Sequence, residues 1–157
     1  VGLQCHLTLE ALRDAQALQG WVDGLRRQML ALEHAGVLVR ISELDVRCRL
    51  WGSAGWAPWP GLRTCARWGA DEERAQARVY AEVARACASV RACVGVTVWG
   101  ADDGHAWLAH PQQHATPYDE QAAAKPAAAA LACVLGRAEC ATLQAAVVAR
   151  GGRMEVW

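Results

Sequence analysis

The chain has 157 residues, 54% of them hydrophobic, with 16 basic and 16 acidic side chains. That length fits one domain, and the balanced charge gives no broad basic face for nucleic acid or an anionic membrane. No apolar run reaches the roughly 18 residues of a membrane span.

Residues 1–7 read as a strand that carries Gln4 and His6 on an apolar run. Residues 21–35 read as a helix, because Val22, Leu25, Met29 and Leu32 recur at helical spacing and Gly36 stops it. Residues 37–46 form a second strand. Within it Glu43 and Asp45 sit two apart, so both acids share one face. Two acids on one face of a buried strand are costly unless they have partners or work to do.

Residues 71–90 form the clearest helix. Asp71, Glu72 and Glu73 fill its first turn, where the dipole favours acids, and Val79, Val83, Ala86 and Val90 form its stripe. Residues 93–100 read as a third strand that ends in Trp99, and 125–135 as a last helix with Pro126 in its first turn. From about residue 137 the chain is rich in Ala and Val and reads as an added helix or strand, or as disorder. Strand and helix alternate, the pattern of parallel β/α units and an α/β fold. Three strands with polar or aromatic side chains near their ends point to one shared site.

Trp51, Trp56, Trp59 and Trp68 fall in a Gly- and Pro-containing stretch, residues 47–70, after the second strand. They either pack beneath that loop or against a neighbouring region, or offer flat ring faces to a ligand. Seven cysteines are many for a reducing compartment. Cys133 with Cys140, and Cys48 with Cys65, are candidate bridges, with buried thiols as the alternative reading.

Four segments, in order, resemble the C-terminal part of a family 10 glycoside hydrolase, the retaining endo-1,4-β-xylanase family. They are Gln4-Cys5-His6; Ile41-Ser42-Glu43-Leu44-Asp45; Thr97-Val98-Trp99-Gly100 followed by Trp107; and Tyr118-Asp119-Glu120 followed by Lys125-Pro126-Ala127. The resemblance covers roughly residues 1 to 136 and leaves 137–157 as a C-terminal extension. It implies a partial (β/α)8 TIM barrel, strands six to eight with their helices. A whole barrel takes about 250 residues, so the expectation is a chain that starts inside one, with the N-terminal half missing.

The resemblance also implies the site. Glu43 is the expected nucleophile, with His6 holding it and Asp45 holding His6; without that context His6 reads as a core histidine. Gln4, Trp99 and Trp107 are expected to contact substrate, although Trp107 suits a core position better than Trp99 does. Asp103 reads as a loop-structuring residue. Cys5, between Gln4 and His6, faces the opposite side and packs against a helix. Leu108 stands where some members have Arg. Cys87 and Cys93 are implied to form a disulfide, which with the other cysteines implies secretion.

The expected partner is xylan or a related β-1,4-linked polysaccharide, with no nucleic acid, no membrane, no cofactor and no metal. A retaining glycosidase needs a second carboxyl about 5 Å from the nucleophile. The family supplies it from strand four, and no matching Asn-Glu pair occurs here. Two alternatives stand beside this reading: a non-catalytic carbohydrate-binding remnant, and another retaining β-1,4-glycanase on a β/α barrel.

Overall fold

The computed structural model describes residues 1–48, 68–107 and 113–152. Strands β1 (Gly2–Thr8), β2 (Val39–Arg47) and β3 (Cys93–Val98) form one parallel sheet in the order β1-β2-β3. The described helices are α1 (Leu9–Leu12), α2 (Ala15–His34), α3 (Ala70–Ala88), α4 (Pro126–Val134) and α5 (Cys140–Ala149). Each strand is followed by helix, so the layout is a run of β/α units around a parallel sheet.

One irregularity sets the two faces of the sheet. Leu3 pairs with Ile41 but Gln4 pairs with Glu43, so Ser42 is an extra residue in β2. The buried apolar residues of β2 are therefore Val39 and Ile41 before the bulge, and Leu44 and Val46 after it. On β1, Leu3, Cys5 and Leu7 share that face by register. The opposite face carries Gln4 beside Glu43 and His6 beside Asp45. Gly2 makes room for the bulge: a Cβ there would lie 2.9 Å from the Ser42 hydroxyl oxygen.

Helices cover the apolar face. In α2, Leu18, Val22, Leu25 and Met29 are buried, and Leu32 packs against the core from its rim. This helix begins at Ala15, well before the expected residue 21, because Asp14 caps it by accepting from the Ala17 amide at 2.9 Å. Its first turns bury only Leu18, so their apolar period is weak. The short α1 was not expected. In α3, Val79, Tyr80 and Val83 are fully buried, and Cys5 joins the same core from β1. Two polar groups tie α3 to the neighbouring chain: the Gln76 side-chain amide donates to the Val46 carbonyl at 2.9 Å, and the Tyr80 hydroxyl donates to the Ala115 carbonyl at 2.8 Å. Burial pushes the Tyr80 phenol well above its ordinary value.

Strand β3 ends at Val98, short of the expected residue 100. Pro126 opens α4 as expected, and the described part of the tail carries helix α5, Cys140–Ala149. Disulfides join Cys87 to Cys93, from the end of α3 to the start of β3, and Cys133 to Cys140, from α4 to α5. Cys48 is also disulfide-bonded, while Cys5 is free and buried. Trp51, Trp56, Trp59, Cys65 and Leu108 lie outside the described residues, as does most of the segment 47–70.

Tyr80→Phe should lower stability by about 1 kcal/mol in denaturant unfolding of the protein that carries these residues. The loss stays small because the Ala115 carbonyl still accepts from the Val46 amide at 3.0 Å. A change beyond about 3 kcal/mol would show that the hydroxyl supports more than this one bond.

Candidate active site

The in-register polar face of β1 and β2 builds the centre of the site. The Gln4 side-chain amide donates to Glu43 Oε1 at 3.0 Å. His6 Nε2 lies 3.1 Å from Glu43 Oε2, and His6 Nδ1 lies 2.7 Å from Asp45 Oδ2. Both oxygens of Glu43 are thus held, each by a β1 side chain. Glu43 and His6 are half-buried, whereas Asp45 is fully buried.

Proton counting narrows the charge state. Each His6 contact is a hydrogen bond only if a proton lies on it, so Asp45, His6 and Glu43 share two protons and a single net negative charge. An imidazolium between two carboxylates satisfies this. So does a neutral Asp45 acid donating to a neutral His6. In both cases Glu43 is ionised and accepts on both oxygens. Placing the proton on Glu43 instead would leave the charge on the fully buried Asp45, the arrangement that burial penalises most. Burial pushes the Asp45 carboxyl above its ordinary value, against hydrogen bonds from Trp107 and His6 that pull it down.

The loop after β3 adds the walls. Trp99 follows β3, and its amide donates to the Leu44 carbonyl at 2.9 Å. The His6 ring lies 6.5 Å from Trp99, edge-on, and 5.1 Å from Trp107, tilted. Both Trp residues are exposed, at 41% and 46%, so the core position considered for Trp107 is corrected. Its indole N–H donates to Asp45 Oδ2 at 2.7 Å while the ring stays open. No feature of the sequence signalled that bond.

A second buried network, also unforeseen, braces this loop. Asp103 Oδ2 accepts from the Lys125 ammonium at 2.8 Å, and Oδ1 accepts from the Thr116 amide and hydroxyl at 2.9 and 3.0 Å. Lys125 also donates to the His114 carbonyl at 2.9 Å. His114 stacks on Trp68 with ring centroids 4.5 Å apart. Burial pushes the Asp103 carboxyl up, but the His114 imidazole 3.7 Å away and the Lys125 charge outweigh this and hold it below the usual range. Asp102 accepts from the Gly104 and His105 amides, both at 2.9 Å, which turns the chain toward Trp107. Asp103 is therefore the loop-structuring residue that its position suggested.

The hydrogen bonds of Asp45 among the described residues go to His6 and Trp107. Glu33 caps the opposite end of the sheet, accepting from the Ala92 amide just before β3 at 3.2 Å. Among the described residues, no group of three His, Cys, Asp or Glu is placed to hold a metal ion, and no helix is long and apolar enough to cross a membrane.

Parallel β/α units with a held carboxylate and two exposed Trp rings at the C-terminal side of the sheet have the layout of the catalytic end of a β/α barrel. The chain belongs to glycosyl hydrolase family 10, whose family model matches residues 1–134. It is 36% identical over 107 residues to endo-1,4-beta-xylanase A of Phanerodontia chrysosporium, covering 66% of this chain and 22% of that protein. It is 31% identical over 130 residues to endo-1,4-beta-xylanase C of the same organism, covering 81% and 27%. The chain thus spans about a quarter of the length of these curated relatives.

Two solved structures are similar in fold. A glycosylated endo-β-1,4-xylanase from Gloeophyllum trabeum gives a TM-score of 0.61 at 30% identity, covering 86% of this chain and 36% of that one. Penicillium canescens endo-1,4-beta-xylanase XylE gives 0.60 at 26%, covering 88% and 36%. The structural neighbours are (β/α)8 barrels, and the described residues of this chain form a three-stranded parallel piece of that architecture.

Lys125→Met should cost about 3–5 kcal/mol at neutral pH, because it strands a buried Asp103 carboxylate. Asp103 sits below its ordinary value in the folded protein, so its stabilisation is present above the unfolded carboxyl value of about 4 and fades as pH falls through the lower folded value. Without Lys125 that folded value rises, and protonation relieves the stranded charge. The gap in unfolding free energy between variant and wild type should therefore be wider at about pH 7 than at about pH 4. An equal gap at both would refute the ion-pair account.

Proposed function

We propose that these residues are the last three β/α units, strands six to eight, of a retaining endo-1,4-β-xylanase, with 1–136 belonging to the barrel and 137–157 an extension. Glu43 is the nucleophile. The observation that carries this is the double anchoring of its carboxylate, Oε1 by Gln4 and Oε2 by His6. A carboxylate with donors on both oxygens stays ionised and aimed, as attack at a sugar's anomeric carbon requires.

His6 and Asp45 set the orientation of that group and share its protons. Trp99 and Trp107 offer exposed rings on which a xylose unit stacks. Gln4 fixes the nucleophile; its one amide hydrogen not used on Glu43 is free for substrate. In the first step Glu43 Oε attacks the anomeric carbon, the glycosidic bond breaks, and a proton must reach the leaving oxygen. The donor of that proton is a second carboxyl contributed by a part of the barrel that this sequence does not contain. Water then hydrolyses the glycosyl–enzyme ester with net retention.

The substrate is xylan or a related β-1,4-linked polysaccharide, and the protein works outside the cell. Two disulfides among the described residues, and a third bond at Cys48, fit an oxidising compartment. A binding-only role gives no reason for a carboxylate held at both oxygens. It remains the outcome to expect if nucleophile variants keep every measurable property of the parent.

In the full-length protein, Glu43→Ala should abolish turnover of xylan. Azide should restore reaction of an activated aryl β-xyloside and give the inverted glycosyl azide. Retained polymer turnover, or an azide product of retained configuration, would remove Glu43 as nucleophile.

The 157 residues expressed alone should release no xylo-oligosaccharides. General acid assistance alone is worth about 10²–10⁴ in rate, and the rest of the cleft would be lacking. Measurable release by the purified chain would mean that it carries its own acid/base.

A further inference from the structure

The indole N–H of Trp107 has more to do than present a ring to a sugar. It donates to Asp45 Oδ2 at 2.7 Å, the same oxygen that meets His6 Nδ1 at 2.7 Å. Asp45 is fully buried, and its Oδ1 has no hydrogen-bond partner among the described residues. Trp107 is therefore one of two donors that offset the burial of this charge. Its ring is 46% exposed and lies 5.1 Å from the His6 ring. One side chain thus joins the open face of the site to the innermost member of the proton-sharing set. Trp99 makes only an edge-on approach to His6, at 6.5 Å.

We propose that Trp107 is a positioning residue for the nucleophile, acting through the hydrogen-bonded series Trp107–Asp45–His6–Glu43, in addition to any stacking on substrate. The inference rests on Glu43 being the nucleophile. Its physical content is charge distribution. With the indole donor in place, Asp45 can hold negative charge and leave His6 more cationic toward Glu43. Without it, Asp45 takes a proton from His6, and Glu43 faces a neutral imidazole. The ionised nucleophile then loses part of its electrostatic support.

The other groups around Asp45 are accounted for. Cys5 stands beside His6 on β1, and burial, with the Asp45 charge second, pushes its thiol up to about 11, so it is neutral. Tyr80 from α3 is neutral as well. Arg47, two residues on along β2, is buried and its charge favours the Asp45 anion. None of these changes charge over the acidic range in which the nucleophile is read.

The test is made in the full-length enzyme, with benzothienylalanine replacing the indole at position 107. This isostere keeps the bicyclic ring and lacks the N–H. The acid limb of the kcat/KM pH profile should move to higher pH by about 0.5–1 unit, and kcat should fall while KM stays within about twofold. Trp107→Phe should move the limb in the same direction, with KM also raised by the smaller ring. Trp99→Phe should raise KM and leave the limb in place.

An unmoved limb in the benzothienyl enzyme overturns the proposal, and so does an equal displacement from Trp99→Phe, which would assign the effect to ring packing on His6. Glu43→Ala separates the two levels of inference. If that variant keeps turnover, the nucleophile reading fails and takes this inference with it. If it is dead while the benzothienyl limb is unmoved, only the role of Trp107 fails.

Discussion

The site depends on one extra residue in β2. In a regular parallel pair, side chains alternate without interruption, and Ile41, Glu43 and Asp45 would all face the same side. The bulge at Ser42 resets the phase. Ile41 stays with the helices, Leu44 and Val46 take over that role beyond it, and Glu43 and Asp45 turn to the opposite face. The reset also decides register with β1. Gln4 falls beside Glu43 and His6 beside Asp45, so four polar side chains meet in two cross-strand pairs. A one-residue slip would place Gln4 beside Ser42 and leave both Glu43 oxygens without their present partners.

Once the strands are in register, charge becomes the next constraint. Asp45 and Asp103 are both buried carboxyls, and their surroundings treat them differently. Asp103 has Lys125 at 2.8 Å and two donors from Thr116, so it is a settled anion that anchors a loop. Among the described residues Asp45 has hydrogen bonds only on Oδ2, one of them shared with a histidine that also faces Glu43. Burial pushes its carboxyl up, so negative charge is less firmly settled on it than on Asp103. The rigid ion pair holds the loop that delivers Trp107; the adjustable carboxyl sits where proton sharing is useful. Buried polar groups are costly in either case, and here the cost is tied to two distinct tasks.

Much of this was legible in the sequence. Acids and a histidine embedded in apolar strands are conspicuous, and i, i+2 spacing pairs Glu43 with Asp45, and Gln4 with His6, on one face of each strand; that the two pairs meet in one site followed from the resemblance, not from spacing. The bulge itself was not inferred, although it left a trace: the apolar positions 39, 41, 44 and 46 change parity at Ser42. The start of α2 was missed because its first turns carry a single buried residue, Leu18. Asp14 was the available cap signal. The Asp103–Lys125 pair joins residues 22 apart through irregular chain, where no periodicity exists to read. The Trp107–Asp45 bond spans 62 residues and shows only when the loop is folded.

The division of labour among elements also limits where change is tolerated. β1 supplies both anchors of Glu43, β2 supplies the carboxylates, and the chain after β3 supplies the aromatic walls. No single element holds a working subset. The loop after β3 is fixed at Asp103 and again at Trp107, so one attachment lies within the Asp102–His105 turn and the other just beyond it. Loss of the first leaves the bond from Trp107 to Asp45 and the backbone bond from the Asp103 amide to the Tyr118 carbonyl to hold the loop. A substitution at Lys125, well removed in sequence from every proposed catalytic residue, therefore reaches Glu43 by a continuous physical route: Asp103, the turn, Trp107, Asp45, His6.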